Sequence, residues 1–316
     1  MPHTFNDRLS QLFREIEIDL GTTELCTLTL EALYDALKDV KSNDLHHFYS
    51  QLKELTLDVQ ATQPKYAIII DSFFKLLRYV YAQDHKHPEH FQVPKKIFLK
   101  YLKELIKEKN RRRQEIIKIS EKIKLNGKTI LIYNHSGTLE HVLLHAKNKK
   151  QKFKIIVAEQ DFDKTGRIIE FLHANSIPYK VVPSYMVSHL DENIDMLFFG
   201  ALTLKSTIDF VMDTGANAII AQFHLKKKPI YVFLTTGKFS LWKAEKRTEI
   251  FTHSKNRSHH TKSIDFEHIK FSHDRVDVNL VTKIITEEGI FHPDEIKKVF
   301  NEKLKKRLDF EKKMKT

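Results

Sequence analysis

The residues best placed to do chemistry in this chain are those that directly follow its short apolar runs. The turn Asn134–His135–Ser136–Gly137–Thr138 joins such a run to a helix-forming stretch. Small polar side chains beside the free N–H groups of a helix start attract phosphate or carboxylate. Simple helix capping by Asn134 or Ser136 explains the same residue types equally well. A second turn supplies Glu159, an acceptor, and then Gly166–Arg167 at the next helix start, where the guanidinium is a fork-shaped anion binder. Ser184 follows the third run, Gly200–Ala201–Leu202 the fourth, and Thr235–Thr236 the fifth. A sugar phosphate suits one acceptor and one anion fork on a shared rim.

Other motifs fail on spacing. Gly127–Lys128–Thr129 looks like the end of a phosphate-binding loop, yet position 122 is Lys where that loop needs Gly, and the trio precedes a strand. The dinucleotide fingerprint needs three glycines after the first strand, where only Gly137 stands. No organic cofactor is expected. His141 and His145, four apart with Glu140 beside them, have metal-ligand spacing, but no third ligand is marked, and the loop cluster His85, His87 and His90 is equally loose. No metal is expected. His135 and Ser136 are adjacent and cannot easily form a base–nucleophile pair, and no nucleophile elbow is present.

The elements that must position these residues follow from hydrophobic period. Thr129–Tyr133, Phe153–Ala158, Tyr179–Pro183, Met196–Phe199 and Ile230–Leu234 are short apolar runs alternating with helix-length segments. This pattern predicts a parallel sheet covered on both faces, which binds ligands at the carboxyl ends of its strands. The first 125 residues differ. Leu28–Leu37, Leu45–Leu57, Tyr66–Tyr81 and Pro94–Ile106 carry apolar residues at three-to-four spacing, clearest at Ile69, Phe73, Leu76 and Val80. Thr22 or Thr23 and Asn43 or Asp44 are expected helix caps, Pro64 fixes the chain before another helix, and Asp84–Pro94 reads as a loop. The expected fold is α/β: an N-terminal all-helical domain over 1–125, then a Rossmann-like parallel-sheet domain with C-terminal helices over 126–316.

With 316 residues and 41% hydrophobic content the chain has material for a sizeable core. No window reaches the roughly 20 apolar residues of a membrane helix, and the N-terminus lacks the order of a signal peptide, so a cytoplasmic protein is expected. Cys26, the single cysteine, cannot form an internal disulfide and reads as a small buried residue. A net charge of +12 raises RNA as a partner. The basic peaks Lys107–Arg113 and Lys303–Lys315 are interleaved with acids in helical contexts and read as solvated faces.

Longer blocks carry a family resemblance. ILIYNHSGTLEHVL at Ile130–Leu143, VAEQDFDKTGR at Val157–Arg167, IPYKVVPSYMVSHL at Ile177–Leu190 and FFGA at Phe198–Ala201 resemble successive blocks of the initiation factor 2B alpha/beta/delta family. That family includes the methylthioribose-1-phosphate and ribose-1,5-bisphosphate isomerases. QPKYAIIIDSFFKLLRYV at Gln63–Val80 is similar to its N-terminal helical block, and Val276–Ile296 to its closing block of an aspartate-containing turn, a helix, an acidic-Gly pair and a Pro. The resemblance implies a helical domain followed by a Rossmann-like domain that dimerises.

It also implies an altered site. Where the isomerases place a cysteine after the first strand this chain has Asn134, and where they place an aspartate after Gly-Ala it has Leu202. Moving a proton or hydride between carbons calls for a titratable group, and neither side chain is one. The Asn-Gly and Asn-Lys pairs of the isomerases' substrate helix align with Thr207–Ile208 and Met212–Asp213, and Asp213 in place of a cation would repel a phosphate. The expectation is a regulatory or assembly protein without catalytic residues, a pseudoenzyme forming a homodimer or a hetero-oligomer with related subunits. Its degenerate pocket for a phosphorylated sugar or nucleotide would use Asn134, His135, Ser136, Glu159, Arg167 and Ser184. The alternative is an aldose–ketose isomerase in which Glu159 or His135 takes over as base.

Overall fold

Apolar residues three and four apart fold the N-terminal part into helices. In the computed structural model, which describes residues 5–39, 45–62, 65–84, 92–160, 162–242, 250–253, 268–271 and 273–313, α1 spans Phe5–Asp39, α2 Leu45–Ala61, α3 Ala67–Asp84 and α4 Gln92–Ser120. Ile69, Phe73, Leu76 and Val80 form the buried stripe of α3 and pack with Leu30 of α1, Leu52 of α2 and Leu102 of α4. Each such side chain contributes about 1.5–3 kcal/mol on burial. α1 is interrupted at Gly21, whose φ of 80° and ψ of 166° are not helical. Only glycine adopts that conformation without a Cβ penalty. A second helical stretch therefore starts beside Thr22 and Thr23. The expected cap at Asn43 or Asp44, Pro64 and the loop histidines His85, His87 and His90 lie outside the described residues.

All five apolar runs become strands. In chain order the rest of the fold is β1 (Thr129–Ile132), α5 (Gly137–Asn148), β2 (Lys154–Glu159), α6 (Phe162–Ala174), β3 (Tyr179–Pro183), a 3-10 helix (Ser184–Asn193), β4 (Met196–Gly200), β5 (Thr203–Leu204), β6 (Asp209–Asp213), α7 (Ala216–Leu225) and β7 (Ile230–Phe233). There follow a 3-10 turn (Thr236–Lys238), β8 (Ile250–His253), β9 (His268–Phe271), β10 (His273–Asp277), a second such turn (Val278–Leu280), β11 (Lys283–Thr286), β12 (Gly289–Phe291) and α8 (Pro293–Lys313). The main sheet has the order β12-β11-β7-β4-β1-β2-β3 and is parallel except between β11 and β12. From β1 the chain winds outward through β2 to β3, then returns to β4 and winds the other way. The strand order thus reverses between β1 and β4, where a doubly wound sheet opens its ligand crevice.

Three local expectations are corrected. The segment after β3 is a 3-10 helix instead of an α-helix. The helix expected in the closing block is strand β11, whose Ile284 and Ile285 bury toward opposite faces of the sheet beside β7. Met212–Asp213 ends strand β6 of a small antiparallel sheet, β10-β6-β5, because Phe210 and Met212 alternate into the core with a period of two.

The same alternation separates two layers on the central strand. Leu197 and Phe199 face a layer containing α7, α8 and β6, whereas Met196 and Phe198 face α5, α6 and the last turns of α4. Among the described residues no helix is long and apolar enough to cross a membrane.

Candidate functional site

The crevice between β1 and β4 is bridged by one side chain. Asn134, only 4% exposed, follows β1 and faces the last residue of β4. Its Nδ2 donates to the Gly200 carbonyl at 2.8 Å, and its Oδ1 accepts from the Gly200 N–H at 3.1 Å. Both ends of the amide are used, so Asn134 ties the two strands together at their switch point. Gly200 is required by what lies over it, because a Cβ there would come within 2.5 Å of Ser136 Oγ and 2.6 Å of Ser136 Cβ. Ser136 is the N-cap residue of α5, yet its hydroxyl makes no capping bond. The capping reading thus fails for both residues. Leu202 lies two residues beyond Gly200, half-buried, with its N–H bonded to the Val211 carbonyl at 3.0 Å. Asn134 and Leu202 therefore share this rim.

Cations collect around the bridge. Lys238, on the 3-10 turn after β7, donates to the Ala201 carbonyl at 3.2 Å. Burial pulls its ammonium down to a pKa of about 8, against the pull of Glu17 and Glu24 from α1. Lys164 of α6 forms an ion pair with Asp213, which is buried. The expected repulsion of a phosphate by Asp213 is thereby offset. Arg167, one helical turn from Lys164, is half-buried. Glu17 reaches the same cluster, and its carboxyl is pushed up by burial first and by Asp213 second, while Lys164, Lys238 and Arg167 pull it down. Gly21 lies between Glu17 and Glu24, and Glu24 in turn holds Arg113 at 2.7 Å. The broken helix α1 thus delivers two carboxylates to the carboxyl end of the sheet.

Other expected residues lie farther out. His135 Nε2, just before α5, and Glu140 Oε1, in its first turn, are 3.0 Å apart. Glu159 ends β2 and is exposed, in register with Pro183 of β3. Ser184 follows β3, two strands and about 10 Å from β1, so Asn134 and Ser136 meet while Ser184 stands apart. His141 bonds the Gly137 carbonyl at 2.6 Å and His145 bonds Glu121 at 2.6 Å. No group of three metal-ligating side chains occurs among the described residues. Cys26 is fully buried and accepts a hydrogen bond from Lys109. The basic segment before β1 is less solvated than expected, since Arg112 and Arg113 are mostly buried in ion pairs with Glu108, Glu287 and Glu24.

Sequence reasoning missed Glu17, Lys164 and Lys238. Lys238 was within reach of the strand-end rule, lying two residues past Thr236. Glu17 carried no signal, because only tertiary packing brings α1 to this rim.

Comparison with known proteins agrees with this architecture. The model of the initiation factor 2 subunit family matches residues 19–293. Translation initiation factor eIF2B subunit alpha of Dictyostelium discoideum is 24% identical over 232 residues, which cover 72% of this chain and 70% of that protein. Among solved structures, the Pyrococcus horikoshii OT3 translation initiation factor eIF-2B superposes with a TM-score of 0.72 at 20% identity, covering 91% of this chain and 98% of that one. A chain of the tetrameric eIF2B-beta2-delta2 complex from C. thermophilum gives 0.70 at 16% identity, covering 94% and 93%. With the family model spanning most of its length, this chain belongs to the initiation factor 2 subunit family.

Proposed function

We propose that the protein is a non-catalytic, regulatory or assembly member of its family that retains a degenerate pocket for a phosphorylated sugar or nucleotide. The observation that carries this reading is the bridge from Asn134 to Gly200. A side chain whose donor and acceptor are both engaged by a neighbouring main chain is held in place and has no proton to give at pH 7. Leu202 adds none. Proton transfer between substrate carbons normally needs a poised acid or base within hydrogen-bond reach. The cations favour binding over chemistry: Lys238 and Arg167 supply charge for a phosphate, with Ser136 and the N-terminus of α5 beside them.

Assembly is the second part of the proposal. Val181, Tyr185 and Met186 are exposed large side chains on the edge strand β3 and the 3-10 helix that follows, with Tyr185 at 80%. Exposed apolar surface of this kind supports pairing of the sheet unit with a second copy or a related subunit. The helical unit over 1–125 would then lend Glu17 and Glu24 to the rim of the sheet unit over 126–316, in a soluble cytoplasmic protein.

The competing reading is an isomerase using His135, which the 3.0 Å contact with Glu140 would orient as a base. Thermal-shift titration against a panel of sugar and nucleoside phosphates tests the binding reading, since a ligand specific to the native state raises apparent stability. A saturable rise that is lost in Lys238→Met supports the pocket. A flat response across the panel would leave a scaffold alone. Sedimentation at micromolar concentration showing only 37.3 kDa particles, alone and with a related subunit, would count against assembly.

A further inference from the structure

A second cleft lies on the other side of the Thr236–Lys238 turn, between α3, α4 and α8. Its volume is about 180 Å³, and its walls carry six cations, Lys75, Arg78, Arg112, Lys303, Lys306 and Arg307, against one carboxylate, Asp71. Four of the six have acidic partners on or behind the walls. Lys75 pairs with Asp71 at 2.9 Å, Arg112 with Glu287 at 3.1 Å and with Glu108, Lys303 with Glu288 at 2.6 Å, and Arg307 with Glu311 at 2.9 Å. Arg78 and Lys306 are exposed, and neither pairs with a carboxylate among the described residues. Arg307 lies over the Phe74 ring, which fixes its guanidinium from below. Burial pulls the Arg307 pKa down to about 10, and the nearby charge of Arg78 pushes the same way. Like charges thus face one another across a space whose one lining carboxylate, Asp71, is already paired with Lys75.

We infer that this cleft binds a compact anion of the diphosphate class, distinct from any ligand of the β1–β4 crevice. Arg78 and Lys306 supply the two uncompensated charges, and Arg307, already oriented, supplies a planar donor fork. The volume is below the range of about 300–1,000 Å³ that encloses a whole metabolite, so the diphosphate group alone would be held, with any attached nucleoside outside. Occupancy would link α3 of the helical region to α8 of the sheet region through one anion.

Calorimetric titration of the full chain with inorganic pyrophosphate, at constant ionic strength set with KCl, tests this. Wild type should bind saturably, Arg78→Ala/Lys306→Ala should bind at least tenfold more weakly with an unchanged circular-dichroism melt, and Lys238→Met should bind as wild type does. Equal binding by ADP would place the natural diphosphate on a nucleoside, and binding of pyrophosphate with exclusion of ADP would place it as the free ion. Either result supports the site. Heats without saturation, equal affinity in the double variant, or loss of binding in Lys238→Met would overturn it, the last by moving the anion into the crevice.

Discussion

Asn134→Ala is the perturbation that separates a structural bridge from a vestige of chemistry. The substitution removes one donor at 2.8 Å and one acceptor at 3.1 Å and leaves the Gly200 carbonyl and N–H without those partners in a place only 4% exposed at the bridging residue. An orphaned buried polar group costs about 1–3 kcal/mol. Two such groups, partly relieved by water entering the space vacated by the amide, give about 2–4 kcal/mol. At roughly 2 °C per kcal/mol for a chain of this size, the melting midpoint should fall by about 4–8 °C. Asn134→Asp should fall further, because it keeps an acceptor for the N–H but sets a carboxylate oxygen against the Gly200 carbonyl. Differential scanning calorimetry at pH 7 reads both. A midpoint for Asn134→Ala within about 1 °C of wild type would show that the two hydrogen bonds contribute nothing to the fold.

Gly200→Ala tests the same junction from the opposite strand: its new Cβ would meet the Ser136 side chain at 2.5–2.6 Å, so a loss of about 1–3 kcal/mol in urea unfolding is expected. Its absence would show that Ser136 can move aside freely. The carboxyl of Glu17 titrates above its ordinary value of 4.5 in the folded chain, so the folded state holds that proton more tightly and stability is lost as pH rises through this window. Glu17→Gln should therefore melt higher than wild type at pH 7 and match it at pH 4, and a variant less stable at pH 7 would contradict the sign. Lys238 keeps its charge below about pH 8. Affinity for an anionic sugar phosphate should drop by up to roughly tenfold between pH 7 and pH 9, measured by calorimetric titration, whereas a flat profile would remove Lys238 from the pocket.

Hydrophobic period carried most of the fold. The five runs from Thr129 to Leu234 are β1, β2, β3, β4 and β7, and all but the edge strand β3 lie inside the sheet, where a strand buried on both faces must be apolar throughout, as Met196–Phe199 is. The helical stripe through Ile69, Phe73, Leu76 and Val80 was equally legible, because burial on one face imposes the spacing. The resemblance of Val276–Ile296 implied a helix where Lys283–Thr286 forms β11; four residues with two isoleucines fit either period, and only pairing with β7 decides. For the site, chain order alone put Asn134, Ser136 and Leu202 at strand ends. That Asn134 turns inward to Gly200 depends on the strand order, with β4 beside β1, which no local pattern records. Glu17 was out of reach for the same reason, being over a hundred residues from its neighbours Lys164 and Asp213.

On the proposed reading the rim binds without reacting. NMR of purified protein incubated with ribose-1,5-bisphosphate, and separately with methylthioribose-1-phosphate, measures this directly. Neither aldose should be converted to its ketose over hours at micromolar protein. Conversion at an ordinary enzymatic rate, about 10 per second, abolished in Glu159→Gln or in a His135 variant, would contradict it.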